Sequence, residues 1–363
     1  MTQAFTTIFF THYVRRREQL PLRTRVVFTV GAVVLLHLAA LGLLLTAVAP
    51  GAQPLALGVV LTAYVAGMKH SYDWDHIAAI DNSTRKFVSE GRNPASVGFA
   101  FSLGHSMVVT LAGVMVIAGA QFVHGAFEEG STANLVLGLI GAGVSGLYLL
   151  ILGLFNSGIA WRLIRRIRTG DVVPEGLPAQ GADETWGLIS RLLRKPLSKV
   201  RRPRDIFVIG FLFGLGFDTA TTIGLLLLTA SASLAGVPAL ALLGLPLAFT
   251  AAMTLCDTIN GLGMMRLYSS AIADGMTRIR FNASVTAVSS VAALGISVLT
   301  LGGFVHDLFD LDDPMTTWMA DVDLGDAGLV LVGCFVVLWV GFVAAHRRQA
   351  NRLEAMEPAT DRR

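Results

Sequence analysis

Residues 67–82 read G-M-K-H-S-Y-D-W-D-H-I-A-A-I-D-N and place His70, Asp73, Asp75, His76 and Asp81 within an otherwise apolar run. Two imidazoles beside two or three carboxylates form a mixed N/O ligand set suited to a divalent transition metal. The segment just before them, Pro54 to Ala66, reads as membrane-spanning. Ionisable side chains in a bilayer are costly and usually mark the path of an ion or substrate. Moving a metal ion across a membrane is the simplest function that joins these facts.

Helical geometry divides the cluster. At about 100° per residue, His70, Asp73 and His76 step by about 60° and share one broad face. Asp75 points roughly 140° from His70. On a regular helix it therefore serves another role, such as accepting an N–H from an imidazole. A helix broken or overwound near Gly67 would let all four converge, and transporters often place sites at such interruptions. The competing structural account is a buried salt-bridge network around Lys69. One lysine could neutralise one carboxylate, which accounts poorly for five ionisable groups so close together. Tyr72 and Trp74 read as packing or interfacial aromatics.

Three more apolar stretches carry polar groups. F-S-L-G-H-S holds His105 between Ser102 and Ser106. L-G-F-D-T-A-T-T-I-G holds Asp218, Thr219 and Thr222, and M-T-L-C-D-T-I-N-G holds Asp257 and Asn260. A single intramembrane Asp can serve as a helix–helix hydrogen-bonding device. Four polar spans in one chain point instead to a shared interior site. Its expected ligands are His70, Asp73, Asp75, His76 and His105, supported by Lys69, Asp81, Asn82 and the other polar residues just named. His37, alone in the first span, reads either as a ligand or gate, or as a packed histidine.

The elements that position these residues are membrane helices. The chain has 363 residues, 53% hydrophobic and 15% charged, with a mean hydropathy of +0.64. A soluble globular domain carries more charge. Eight apolar stretches approach the ~20 residues needed to cross ~30 Å of hydrocarbon. They lie near Val26–Val48, Pro54–Ile80, Val97–Phe122, Leu135–Ala160, Ile206–Ala230, Val237–Met264, Ala283–Phe304 and Gly328–Ala345. The expected fold is an all-α polytopic membrane protein of eight transmembrane helices. Residues 1–25 and 346–363 flank two groups of four spans, 26–160 and 206–345, joined by a basic loop, 161–205.

Charge sets the orientation. Every Lys and Arg except Lys69 falls before the first span, after an even-numbered span, or in the tail. Basic residues favour cytoplasmic loops, so both termini are expected in the cytoplasm. The loop after the seventh span is rich in aspartate, including Asp307, Asp310, Asp312, Asp313, Asp321, Asp323 and Asp326. An acidic outer face can concentrate cations, or it is simply a solvated loop. The formal charge of +3 reflects this topology and not nucleic-acid binding. The first apolar run precedes its arginines, unlike a signal peptide. Cys256 and Cys334 have neither metal-type spacing nor a disulfide framework. A surface helix is expected over Trp186–Leu193.

These residues resemble the nickel/cobalt transporter family. His70, Asp75 and His76 fit that family's H-x(4)-D-H signature, and the longer pattern R-H-A-x-D-A-D-H-I-A-A-I-D-N also matches at Asp73 and from Ile77 to Asn82. F-S-L-G-H-S, L-G-F-D-T-A-T and M-T-L-C-D-T-I-N-G are similar to its third-, fifth- and sixth-span motifs, in the same order. The resemblance implies an eight-span fold with both ends cytoplasmic and uptake of Ni²⁺ or Co²⁺ as substrate, with no cofactor. It also suggests a selectivity role for His37. Lys69, Ser71 and Trp74 depart from the pattern. Thr222 and Asn260 stand where relatives commonly carry acids, so the far wall is less charged.

The motif spans are the second and third, then the fifth and sixth. An offset of three spans inverts topology, so an inverted-repeat core around a midplane site is expected. Alternating access would carry the ion inward, with protons competing for the histidines. Two other classes share some features. A membrane-embedded metalloenzyme would use intramembrane His and Asp, but the chain has no H-E-x-x-H and too few histidines for a di-iron site. A proton-coupled carrier or exporter of another divalent cation or small solute would need fewer imidazoles. The expected partners are the ion and the lipid bilayer.

Overall fold

The computed structural model describes residues 20–48, 57–118, 132–170, 200, 202–215, 220–269, 275–322 and 327–356. Among these residues the structure is helical: α1 Leu22–Leu44, α2 Leu57–Ser71, α3 Trp74–Ser89, α4 Val97–Ile117, α5 Thr132–Thr169, α6 Pro203–Phe213, α7 Ala220–Leu234, α8 Ala239–Ser269, α9 Gly275–Phe309, α10 Pro314–Asp321 and α11 Ala327–Met356. Five described stretches are long and apolar enough to cross a membrane: Leu22–Leu44, Val97–Ile117, Gly138–Thr169, Ala239–Arg266 and Ile279–Phe309. Gly224–Leu234 and Gly328–Phe342 are shorter apolar helices. The chain is thus a multi-pass, all-helical membrane protein. The helix expected over Trp186–Leu193 lies outside the described residues.

The stretch expected as one helix from Pro54 to Ile80 is two. The break falls at Tyr72–Asp73, five positions beyond Gly67 where the sequence suggested it. The Tyr72 N–H reaches back to the Lys69 carbonyl (3.0 Å) and the Asp73 N–H to that of His70 (3.1 Å), closing the last turn of α2 tightly. Asp73 is then extended (φ −61°, ψ 144°) and its carbonyl accepts the Ile77 N–H at 3.2 Å, starting α3. Short polar side chains such as Ser71 and Asp73 compete with helical backbone bonding, which favours an interruption there. The expected fifth span is likewise divided, with α6 ending at Phe213 and α7 starting at Ala220.

Gly67 has a different role. A Cβ there would collide with the Phe249 carbonyl of α8, so the glycine lets two backbones touch. Three more glycines build two further crossings the same way. A Cβ at Gly104 of α4 would strike the Phe207 carbonyl, one at Gly210 of α6 the Phe101 carbonyl, and one at Gly98 the Asp257 carbonyl. Small residues at such crossings replace the missing hydrophobic drive between helices in lipid with close van der Waals contact. The centre is therefore α8, packed on α1, α2, α3 and α4, with α4 also against α6. Beside it α5 and α9 form a long antiparallel pair, Gly143 facing Phe304 and Gly153 facing Leu294.

Candidate metal centre

The break between α2 and α3 brings His70, the next-to-last residue of α2, beside His76 in the first turns of α3. His105 of α4 completes the group. One nitrogen from each of the three lies within 4.8 Å of the others, and all three residues are buried. The ring centroids are 4.8 Å apart for His70–His76, 4.9 Å for His70–His105 and 4.6 Å for His76–His105. His70 Nε2 lies 2.9 Å from His105 Nε2.

Two carboxylates orient two of the rings. His70 Nδ1 is 2.9 Å from Asp73 Oδ2, and His76 Nδ1 is 3.0 Å from Asp257 Oδ2 of α8. An Nδ1–H that donates to a carboxylate leaves the lone pair on Nε2 and fixes the ring's direction. His76 Nε2 is buried with no hydrogen-bond partner, as is His105 Nδ1. Buried imidazole nitrogens without partners are costly in a protein core and suit a site made to receive a ligand. The donor set is three imidazole nitrogens, two of them on rings with carboxylates behind, which fits a divalent transition ion.

Asp73 thus lies on the Nδ1 side of the His70 ring. The supporting role expected of Asp75 falls to Asp73 and Asp257. Asp75 is half-buried in the first turn of α3, and its Oδ1 accepts the His76 backbone N–H at 2.8 Å. Ser102 and Ser106 are buried on α4 to either side of His105, and Asn260 is half-buried on α8 with Nδ2 unpartnered. Thr222 is buried on α7. Asp218 and Thr219 lie outside the described residues.

Four expected members lie elsewhere. Lys69 is exposed, so neither the cavity nor a buried network is built on it. Asp81 accepts hydrogen bonds from the Tyr268 and Ser289 hydroxyls, with Arg85 Nη2 at 3.7 Å. Arg85 also donates to Thr286 and, at 2.5 Å, to Tyr268. Asn82 receives Asn156 of α5. This second buried network ties α3 to α5, α8 and α9. His37 Nδ1 is 2.8 Å from the Val33 carbonyl and its Nε2 is 3.1 Å from the Tyr64 hydroxyl, an α1–α2 contact apart from the imidazole cluster.

Sequence reasoning also missed the aromatic walls. Phe249 packs 5.5 Å from the His70 ring and Phe101 5.0 Å from that of His76. Apolar residues in apolar helices carry no signal that separates a wall from ordinary core.

The profile of the family described as high-affinity nickel-transport protein matches residues 56–344. The chain belongs to this nickel/cobalt transporter family. It is 38% identical over 317 residues to the nickel transporter NicT of Mycobacterium tuberculosis, covering 86% of this chain and 84% of that one. It is 36% identical over 332 residues to the high-affinity nickel-transport protein NixA of Helicobacter pylori, covering 89% and 97%. It is also 33% identical over 341 residues to the cobalt transport protein NhlF of Rhodococcus rhodochrous, covering 91% and 94%. No solved structure matches the chain. Within the transporter family the matched region contains the whole imidazole cluster and both of its carboxylate supports.

Proposed function

We propose that the chain is a secondary permease that takes up Ni²⁺ or Co²⁺ through a site made by His70, His76 and His105. A member of a transporter family is a permease and not an enzyme. The observation that carries the reading is the convergence of three buried imidazoles, with Asp73 and Asp257 orienting two of them.

The five long spans extend to eight passes when α2–α3 and α6–α7 are each read as one broken crossing and α11 as the last. Basic residues then put both termini in the cytoplasm. An inverted repeat of α2–α3–α4 with α6–α7–α8 is supported by exchanged contacts. Gly67 of α2 meets the carbonyl of Phe249 in α8, and Gly210 of α6 meets that of Phe101 in α4. Both phenylalanines follow an alanine and precede a hydroxyl residue, Ala100-Phe101-Ser102 and Ala248-Phe249-Thr250. Broken helices facing each other across such a repeat are the frame of alternating access.

The deciding experiment is uptake of radiolabelled Ni²⁺ and Co²⁺ into cells expressing the protein, with Zn²⁺, Mn²⁺ and Fe²⁺ as competitors. Saturable uptake of either ion is expected; uptake no greater than in empty-vector cells rejects the reading. Acidification of the medium is expected to weaken uptake, because the ligand imidazoles must be neutral to bind the ion. Asp257→Asn keeps the shape but removes the charge behind His76. It is expected to raise the Ni²⁺ concentration for half-maximal uptake by about 10–100-fold, read from initial rates across a concentration series. A curve superimposable on the parent's would remove Asp257 from the site.

A further inference from the structure

Two phenylalanines occupy matching positions on opposite sides of the imidazole cluster. α4 and α8 run antiparallel. At one end Thr110 Oγ1 lies 3.2 Å from Thr250 Oγ1 and Gly113 packs on the Pro246 ring; at the other Gly98 meets Gly261. Along this common axis Phe249 lies toward the Thr110–Pro246 end and Phe101, one turn from His105, toward the Gly98–Gly261 end. Both side chains are fully buried, at 0% and 1% exposure. Each closes on a different member of the cluster, Phe249 on His70 and Phe101 on His76, and Phe101 is backed in turn by Phe213 at 5.3 Å.

A phenyl ring offers a divalent ion no ligand, and a packed ring leaves no room for its water shell. A ring packed against an imidazole therefore has to move aside for an ion to pass on its side of the cluster. The backbones around the rings supply separate pivots, because Phe249 seats on Gly67 of α2 and Phe101 on Gly210 of α6 with no side chain between. Phe249 thus belongs to the α2–α8 crossing and Phe101 to the α4–α6 crossing.

We propose that Phe249 and Phe101 are the two gates of the ion site, one for each face of the membrane, opened alternately. The assignment rests on the permease reading above, and its test needs no metal, so the two stand or fall separately. Ser106 is buried beside His105 with its hydroxyl unpartnered. Ser106→Cys in a Cys256→Ser, Cys334→Ser background makes it the one thiol of the full chain. Its modification by a small membrane-impermeant methanethiosulfonate is timed in intact cells and in inside-out vesicles. Phe249→Ala is expected to speed labelling about tenfold from one face, and Phe101→Ala about tenfold from the opposite face, by raising the population of one open state. Phe249→Leu and Phe101→Leu keep an apolar plug and are expected to label near the parent rate. Alanine variants that open to the same face, to both faces or to neither overturn the proposal, as do leucine variants that label as fast as the alanines.

Discussion

His76→Ala is expected to abolish Ni²⁺ uptake, a loss of more than about 100-fold, since even carboxylates behind a metal ligand contribute about 10–100-fold. Two effects combine in this variant and need separating. The first is loss of a nitrogen donor from a set of three. The second is that Asp257, fully buried, loses its imidazole partner. A buried carboxylate stripped of its partner costs several kcal/mol, about 3–5 when a charged pair is broken. The single variant is therefore expected to accumulate poorly in membranes as well as failing to transport. His76→Ala combined with Asp257→Asn removes the stranded charge. Its membrane abundance, measured by immunoblot, should recover toward the parent level while uptake stays absent. Recovery of uptake along with abundance would mean that His76 stabilises the protein and does not bind the ion.

The contrast between His76 and Asp81 shows what was legible in the sequence. Ionisable groups in an apolar stretch are conspicuous because a bilayer tolerates so few, so His70, Asp73, His76, His105 and Asp257 could each be picked out. Their division of labour could not. A single extended residue at Asp73 re-aims everything after it, and a periodic apolar pattern does not register one such step. Asp81 looked like part of the same cluster because it is close in sequence. It lies five residues beyond His76, about 140° further around α3, and so faces Tyr268 and Ser289 instead of the imidazoles. The pairing of His76 with Asp257 joins residues 181 positions apart, for which a single sequence holds no signal. Span existence was readable because length and hydropathy are local properties. The glycine crossings were not, because a glycine in an apolar helix reads the same whether or not another backbone lies against it.

Arg85→Ala is expected to destabilise the protein by about 3–5 kcal/mol, the usual cost of removing one partner from a buried ionic group. Arg85 is only 5% exposed, and its guanidinium binds Thr286 and Tyr268 while stacking 4.2 Å from the centre of the Tyr268 ring. Its charge lies 3.7 Å from Asp81, which is fully buried and otherwise held by two neutral hydroxyls. Without Arg85 the carboxylate keeps those hydroxyls but loses its counter-charge, in surroundings where unscreened charge is costly. A total stability of about 5–15 kcal/mol leaves little margin for that loss. Arg85→Lys restores the charge but not the planar fork that reaches two oxygens at once, so it should fall between parent and alanine. Arg85→Ala with Asp81→Asn should melt above Arg85→Ala alone, because the second change removes the stranded charge. Thermal melts of detergent-solubilised protein followed by size-exclusion chromatography read all four. An Arg85→Ala melt equal to the parent's would show that the network contributes nothing to holding α3 against α8 and α9. Because this network lies apart from the imidazoles, the Ni²⁺ to Co²⁺ uptake ratio of whatever Arg85→Lys protein reaches the membrane is expected to match the parent. A changed ratio would instead tie Asp81 and Arg85 to the ion.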